Sequence, residues 1–396
     1  MNLIKFPQKT VSDEKWFTVR DYREHDHQKI YTILDNMMKN ISNILPGEFE
    51  SKISRENSIS KYLHTNANYH EKIKIFMKTK DHEQNIDLTY PKLLKGNYFM
   101  LNGSLYVPTM CLERSPIDII KKDDKKGTKY VVNLLPTFVL TFNFMKNEVM
   151  FRKKTIPLNL FIVALLGEEE FNQLVQLDKV KQLEQDDMIQ GEKSIEEFVF
   201  NTLGLHEIDK LKSKNITLAK FFDEYLILDY FREMFYDFFN VRSIKDITRK
   251  IIDMNFNNIG VNMADLRNRR IVLNEYLINP IFEMYLRLLY GAIDKHEKQA
   301  FLPTMNSKVI LTSGFGTMLH RGQYYNISLP FTNPIINKVS QSIYIVKDGR
   351  IPKSWTANHP SAIGKICPIS VSADNMGSNL VFTNDTRINY YGRVEI

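Results

Sequence analysis

The reactions open to a chain are bounded by where its nucleophiles, acids and metal ligands fall. His25 and His27 stand two apart in a charged segment, a spacing that on a helix aims them at different faces. A surface pair is expected there rather than a metal site. His64 and His70 are no better spaced. Asp123-Asp124 and Asp186-Asp187 are carboxylate pairs of the kind two-metal chemistry uses, but both sit in charge-rich stretches that read as solvated. Gly314-Phe315-Gly316 is a GxG without the rest of a phosphate loop. Cys111 and Cys367 are too few for a disulfide framework or a four-thiolate zinc site. GxGxxG, GxxxxGKS/T, HExxH and GxSxG are absent. Without a catalytic constellation, a self-sufficient small-molecule enzyme is the weakest reading.

The elements that would position any site are legible in part. Over 28–45, Ile30, Ile33, Leu34, Met37, Met38 and Ile41 recur three or four apart, which predicts an amphipathic helix. Tyr98 to Leu101 and Ser104 to Val107 are β-prone runs separated by Asn102-Gly103, the strongest short hairpin signal. Lys121 to Lys126 predicts a solvated turn. Residues 130–152 alternate short β-prone runs with turns, one of them at Lys146-Asn147-Glu148. Leu158 to Gly167 reads as a buried helix ended by a glycine cap. Residues 168–197 read as acidic and helical. Residues 218–240 read as helical and dense in aromatics, with Phe221, Phe222, Tyr225, Tyr230, Phe231, Phe235, Phe238 and Phe239 expected in the core. A further helix is expected over 281–296, with Asn279 and Pro280 suited to its start. From Lys308 onward Gly, Pro, Asn and Ser rise and strands look short. Helices and strands are segregated rather than alternating, so the expected class is α+β.

Composition sets the outer limits. The 396 residues suggest two to three domains. With 43% apolar and 25% charged residues, the chain is globular in character. Lys+Arg 53 against Asp+Glu 46 gives +7, a modest excess that permits a nucleic-acid partner without requiring one. The opening MNLIKFPQKT has no apolar core of the signal-peptide kind. The longest apolar stretch, Leu158 to Leu166, is half a membrane span and contains Asn159. A soluble protein of a reducing compartment, with no membrane partner, is expected.

Four segments, in order, resemble one family. Gly96-Asn97-Tyr98-Phe99-Met100-Leu101-Asn102-Gly103, followed by Leu112-Glu113-Arg114-Ser115-Pro116, is similar to the GYFIING hairpin and L-x-R-S-P of the second-largest (β) subunit of multisubunit RNA polymerases. Leu134-Leu135-Pro136, then Val149 to Pro157 and the helix to Gly167, resemble that subunit's lobe, where a hairpin with a basic tip precedes an apolar helix. Asp265-Leu266-Arg267-Asn268-Arg269-Arg270-Ile271 matches D-x-x-N-R-R-I/V, which a long helix follows. His359-Pro360-Ser361-Ala362-Ile363-Gly364-Lys365-Ile366-Cys367-Pro368-Ile369 matches H-P-S/T-x-x-G-R-I/V-C-P-I. The final Asn389-Tyr390-Tyr391-Gly392-Arg393-Val394-Glu395 resembles the N-E-Y-G-F-I/L-E that comes soon after it.

The resemblance covers residue 90 to the C-terminus and implies the N-terminal half of a split β subunit, the arrangement of giant-bacteriophage polymerases. A split bacterial or archaeal subunit is the nearest variant. The implied architecture is a protrusion over 1–129, an inserted lobe over 130–257, a return to the protrusion over 258–307 and a fork over 308–396. The implied function is one wall of the cleft for DNA and the RNA hybrid, gripping phosphates so that nucleic acid slides. Lys347, Arg350 and Lys353 fall where the family has a fork loop, and their Asp348-Gly349 turn suits a flexible contact. Lys338 and Gln341 fall in the segment that lines the RNA path. Lys365 replaces the family's Arg, keeping charge but losing a bidentate fork. Arg269-Arg270, which can pair with acids such as Asp265 or Glu275, and His359-Pro360 are expected to be architectural. After Ile369 the family's E-T-P-E-G-P-N-I-G-L is replaced by Ser370 to Ser378, and Asn375 aligns only across a gap, which puts a substrate role for that loop in doubt.

The family's catalytic Mg²⁺ is held by N-A-D-F-D-G-D on the β′ subunit, and no such sequence occurs here. The resemblance therefore implies no cofactor in this chain and Mg²⁺ on a partner. The implied partners are the β C-terminal fragment, β′ fragments, a phage promoter-specificity subunit, template DNA and RNA. The implied location is the cytoplasm of an infected bacterial host, or the virion. The alternative class is a stand-alone binding protein or transcription regulator descended from a polymerase fragment.

Overall fold

A computed structural model of the chain describes residues 16–44, 50–59, 69–78, 83–91, 99–101, 104–108, 110–123, 127–135, 138–151, 154–182, 194–205, 208–213, 215–257, 264–272, 324–327, 342–344, 358–368 and 379–395, with scattered positions between 259 and 293. A short strand β1 (Phe17–Thr18) leads into α1 (Val19–Ile44). Strands β2 (Glu50–Ile59), β3 (Tyr69–Lys78) and β4 (Glu83–Pro91) form one antiparallel sheet. Next come β5 (Phe99–Leu101), β6 (Ser104–Pro108), β7 (Met110–Arg114), β8 (Ile117–Asp123), β9 (Gly127–Leu135), β10 (Phe138–Asn143), β11 (Glu148–Phe151) and β12 (Lys154–Pro157). A run of helices comes after them: α2 (Leu158–Leu166), α3 (Glu168–Gln176), α4 (Ile195–Leu203), α5 (Ile208–Ser213), α6 (Leu218–Phe221), a π-helical turn over Phe222–Leu226, α7 (Asp229–Phe239) and α8 (Ile244–Phe256). The last strands are β13 (Arg269–Val272), β14 (Tyr324–Ile327), β15 (Ser342–Tyr344), β16 (Asn379–Val381) and β17 (Arg387–Ile388). Strands and helices are segregated, as an α+β chain requires.

The β8 to β12 strands make a five-stranded antiparallel sheet in the order β12-β11-β10-β9-β8. A division of the chain at residue 130 runs through β9. Alternation puts Tyr130, Phe142, Val149 and Ile156 in one register row, and all four are buried. Against them lies α2, buried on nearly every side, with Phe161 edge-on to Phe142 and Phe222. Gly167 ends it at φ 92, ψ 164, a backbone region open chiefly to glycine. The predicted aromatic stripe is core, as expected: Phe221, Phe222, Phe231 and Phe235 are fully buried, while Phe238 and Phe239 pack partly exposed against them. This first core also takes in Ile33, Leu34, Met37 and Met38 of α1.

Several elements differ from expectation. Part of the lysine-rich segment is strand: beyond a register shift between Ile119 and Lys121, Lys121, Lys122 and Asp123 pair with Lys129, Thr128 and Gly127. The acidic helix ends at Gln176, and a separate helix starts at Ile195, where the Ser194 hydroxyl accepts from the Glu197 N–H; residues 183–193 lie outside the described residues. Helix 218–240 is interrupted at Ile227, which is extended. His25 is not on the surface: it is half-buried and stacks on Phe17 at 4.2 Å. The Asn-Gly hairpin holds its register, with Leu101 opposite Ser104. Among the described residues no helix is long and apolar enough to cross a membrane.

Candidate functional site

Three of the family-like segments and the terminal one meet at a single place. Strand β7 pairs antiparallel with β13, setting Arg114 opposite Arg269, Glu113 opposite Arg270 and Leu112 opposite Ile271. The Ile271 N–H donates to the Gly392 carbonyl at 2.7 Å, and Arg270 bridges to Arg393. The Leu266 N–H donates to the Ser361 hydroxyl at 2.9 Å, across 95 positions of sequence. Ile366 bridges to Phe382. Beneath these contacts lies a second, smaller core that includes Tyr22, Leu112, Leu266, Ile271, Ile366 and Val394.

Polar side chains fix the backbone here. Asp265 starts a 3₁₀ turn over Leu266–Asn268 and accepts from the Arg267 N–H at 3.0 Å and from its Nε at 2.9 Å. Burial pushes the Asp265 carboxyl up, but the Arg267 guanidinium and N–H, with the Ser361 hydroxyl, hold it below the usual carboxylate range. The partner of Asp265 is therefore Arg267, not Arg269 or Arg270. Those two lie on β13, and of the helix expected over 281–296 the described positions 285, 286, 289, 290 and 293 are helical, the rest lying outside the described residues. Arg269 is fully buried and donates to the Leu112 carbonyl at 3.3 Å, and Arg270 is 5% exposed, an architectural placement for both.

His359 caps a second 3₁₀ turn, Pro360–Ala362, its Nδ1 accepting from the Ser361 N–H at 3.2 Å. The same Nδ1 lies 2.9 Å from the Ser361 hydroxyl and 3.9 Å from Asp265. The residue types are those of a Ser-His-Asp triad, but the geometry is not. A triad uses both imidazole nitrogens, one toward the serine and the other toward the carboxylate. Here both partners approach one nitrogen, and the hydroxyl also accepts from Leu266. The cluster holds two turns together.

Gly392 meets β13 at a distance only glycine allows. Its φ is 87°, and an added Cβ would stand 2.3 Å from the Ile271 carbonyl oxygen and 2.9 Å from the Tyr22 hydroxyl.

Of the predicted contact residues, Lys365 is described and Lys338, Gln341, Lys347, Arg350, Lys353 and Asn375 lie outside the described residues, as do Asp124, Asp186-Asp187 and Gly314 to Gly316. Lys365 is half-buried on the turn that comes after Pro360–Ala362. Its carbonyl accepts from the Thr383 N–H and the Thr386 hydroxyl, both at 2.8 Å, and its N–H donates to Ala362 at 3.1 Å. Gly364, at φ 74, lets the chain turn between the exposed Ile363 and this lysine.

Set against known proteins, the chain matches no protein-family model, and no curated protein is significantly similar to it. No group of three or more His, Cys, Asp or Glu able to hold a metal ion occurs among the described residues.

Sequence reasoning missed the polar contacts between this junction and the helices. Asn389 donates to both Asp237 carboxylate oxygens at 3.2 Å, and Arg393 donates to the Asp237 carbonyl at 2.8 Å. Lys29, 3% exposed, donates to the Tyr22 hydroxyl at 3.2 Å. No sequence signal marks pairs 152 positions apart.

Proposed function

We propose that this chain is the N-terminal part of a split β subunit of DNA-directed RNA polymerase, of the giant-bacteriophage type, acting as wall and grip of the nucleic-acid cleft. The observation that carries the reading is the convergence of the family-like segments. Leu112 to Pro116, Asp265 to Ile271, His359 to Cys367 and Asn389 to Glu395 build one core together. Short matches scattered by chance have no reason to assemble.

In this reading the protrusion spans 1–129 and 258–307, the lobe 130–257 and the fork 308–396. Lys365 meets a phosphate from its restrained turn, and Lys338, Gln341, Lys347, Arg350, Lys353 and Asn375 extend the contact along template and hybrid. Such contacts raise affinity for all sequences alike and carry its salt dependence. The family's metal-holding N-A-D-F-D-G-D does not occur in the sequence, so the reading assigns the metal to a β′ partner and no chemical step to this chain. The other partners are the β C-terminal fragment and a specificity subunit, in the infected host or the virion.

Mass spectrometry of proteins co-purifying with the chain from infected cells tests the assembly: the remaining β and β′ pieces are expected. RNA synthesis should need all of them. Template-dependent synthesis by this chain alone, or its isolation without polymerase subunits, overturns the reading. In the assembled enzyme, Arg350→Ala with Lys353→Ala should make elongation complexes more salt-sensitive without altering promoter choice. The polar His-Lys-Arg-Arg run against which rifampicin sits in bacterial β subunits has no counterpart after Asn333-Pro334. Resistance to the drug is expected accordingly.

A further inference from the structure

We infer that residues 389–395 form a polar strap that locks two separately packed cores together, so that breaking the strap releases the motif core while the helical core stays closed. This goes beyond the polymerase reading and does not rest on it.

The apolar packing supports two bodies rather than one. One cluster gathers the five-stranded sheet and α2 to α8, and the other gathers β1, β7, β13, β17 and the turns around them. Among the described residues Tyr390 is the one partly buried side chain that packs on both. Helix α1 runs through both, giving Tyr22 to one and Ile33 to Met38 to the other. Halfway along it, Lys29 enters the seam beside Tyr22, its Nζ 4.6 Å from that ring, 5.1 Å from the Tyr390 ring and 5.4 Å from the Tyr230 ring.

The strap closes the seam with directional bonds. From α7, Asp237 accepts from the Asn389 amide at both carboxylate oxygens, and Arg393 donates to its carbonyl. Inside the strap, the Asn389 Oδ1 accepts from the N–H groups of Tyr391 at 3.0 Å and Arg393 at 2.9 Å, which fixes its shape. On the opposite side Gly392 is held against Ile271.

Interdigitated apolar side chains cannot part without leaving a void. Hydrogen-bonded groups exchange their partners for water at a small net cost per bond. The strap's described apolar contacts with the helical core are few beside those inside either core, Tyr390 and Tyr391 meeting Tyr230 at 5.8 and 5.7 Å, so the seam opens before either core does, and local openings of this sort are what amide exchange measures.

Hydrogen exchange read by mass spectrometry on the full-length chain tests this, comparing wild type with Asn389→Ala/Arg393→Gln. Protection of β7, β13 and β17 is expected to fall about tenfold or more, with α2, β10 and β11 unchanged. Asp237→Asn, which weakens the lock from the helical side, should give the same pattern to a smaller extent. An equal loss in both cores would mean one cooperative body, and no loss in either would mean the strap locks nothing. Loss confined to the helical core in Asp237→Asn would likewise overturn the proposal. The readout needs neither partner nor template, so it is decided independently of the polymerase reading.

Discussion

Behind the five-stranded sheet, Phe161 meets Phe142 and Phe222 at 5.9 Å between ring centres, and Phe151 meets Phe222 at 5.6 Å. At the motif junction the close approaches are of another kind: a glycine against a carbonyl, a serine hydroxyl under an N–H, a carboxylate around its own turn. The first region is held by volume and tolerates exchange among large apolar side chains. The second is held by backbone geometry and hydrogen-bond partners, and atoms rather than volume decide what it tolerates. Stability lost in the two regions should therefore respond to different substitutions.

The largest effect is expected in the first region. Phe161→Ala removes a fully buried ring from α2 and should cost about 4 kcal/mol. Urea unfolding measures it, and a cost under about 1 kcal/mol would mean that the sheet and helices are not one packed core. Next is Gly392→Ala, a single added carbon that should cost about 3 kcal/mol through its clash with Ile271 and its positive φ. If alanine is tolerated there, the junction is looser than its geometry and the contrast fails. Ser361→Ala leaves the buried Leu266 N–H without its acceptor and should cost about 1 to 2 kcal/mol. Ser361→Thr, which keeps the hydroxyl, separates loss of the bond from loss of space.

The smallest effect is a pH dependence inside the first region. Asp223 accepts from the Ile244 N–H at 2.6 Å, capping α8. Burial pushes its carboxyl from 3.8 to about 6, against the opposing pull of the Ile244 N–H and of Arg232. The folded value lies above the unfolded one. Its contribution to stability is thus complete below about pH 4 and is lost as pH rises through about 6. Asp223→Asn keeps an acceptor for Ile244 and removes the charge. Thermal unfolding from pH 4 to 8 should show a flatter profile and a gain on the order of 1 kcal/mol at pH 7, reduced by the group's partial exposure. A loss of stability at pH 7 would show that the charge itself makes the cap.

This division also explains what the sequence disclosed. Periodicity and turn chemistry predicted α1, the Asn102-Gly103 hairpin, α2 with its cap at Gly167 and the buried aromatics, because these depend on neighbours a few positions away. Several helix starts carry a local signal that the periodicity alone does not pick out, among them Ser194 with Glu197, and Thr18 and Ser243, whose hydroxyls accept from the Asp21 and Asp246 N–H groups and donate to those residues' carboxylates. The interruption at Ile227 has no such mark. Across it Arg232 donates to the Asp223 and Ile227 carbonyls from the next helix. At the junction, resemblance marks the segments but not their contacts. Asp265 takes its arginine from two positions on rather than from the Arg269-Arg270 pair, and the Asp237, Asn389 and Arg393 contact joins positions that no local rule connects.

The π-helical turn bears on which changes of length the chain can accept. The Phe222 carbonyl is met by the Ile227 N–H at 2.7 Å, five positions on, where an α-helix would close at four. Deleting one residue from this turn would let the same carbonyl meet the same N–H at four positions, as an ordinary α-helical turn that leaves α7 in place. Tyr230, Phe231 and Met234 would keep their places in the core. The turn is thus a place where the chain can give up a residue without moving its neighbours, and relatives one residue shorter here should carry an α-helical turn instead.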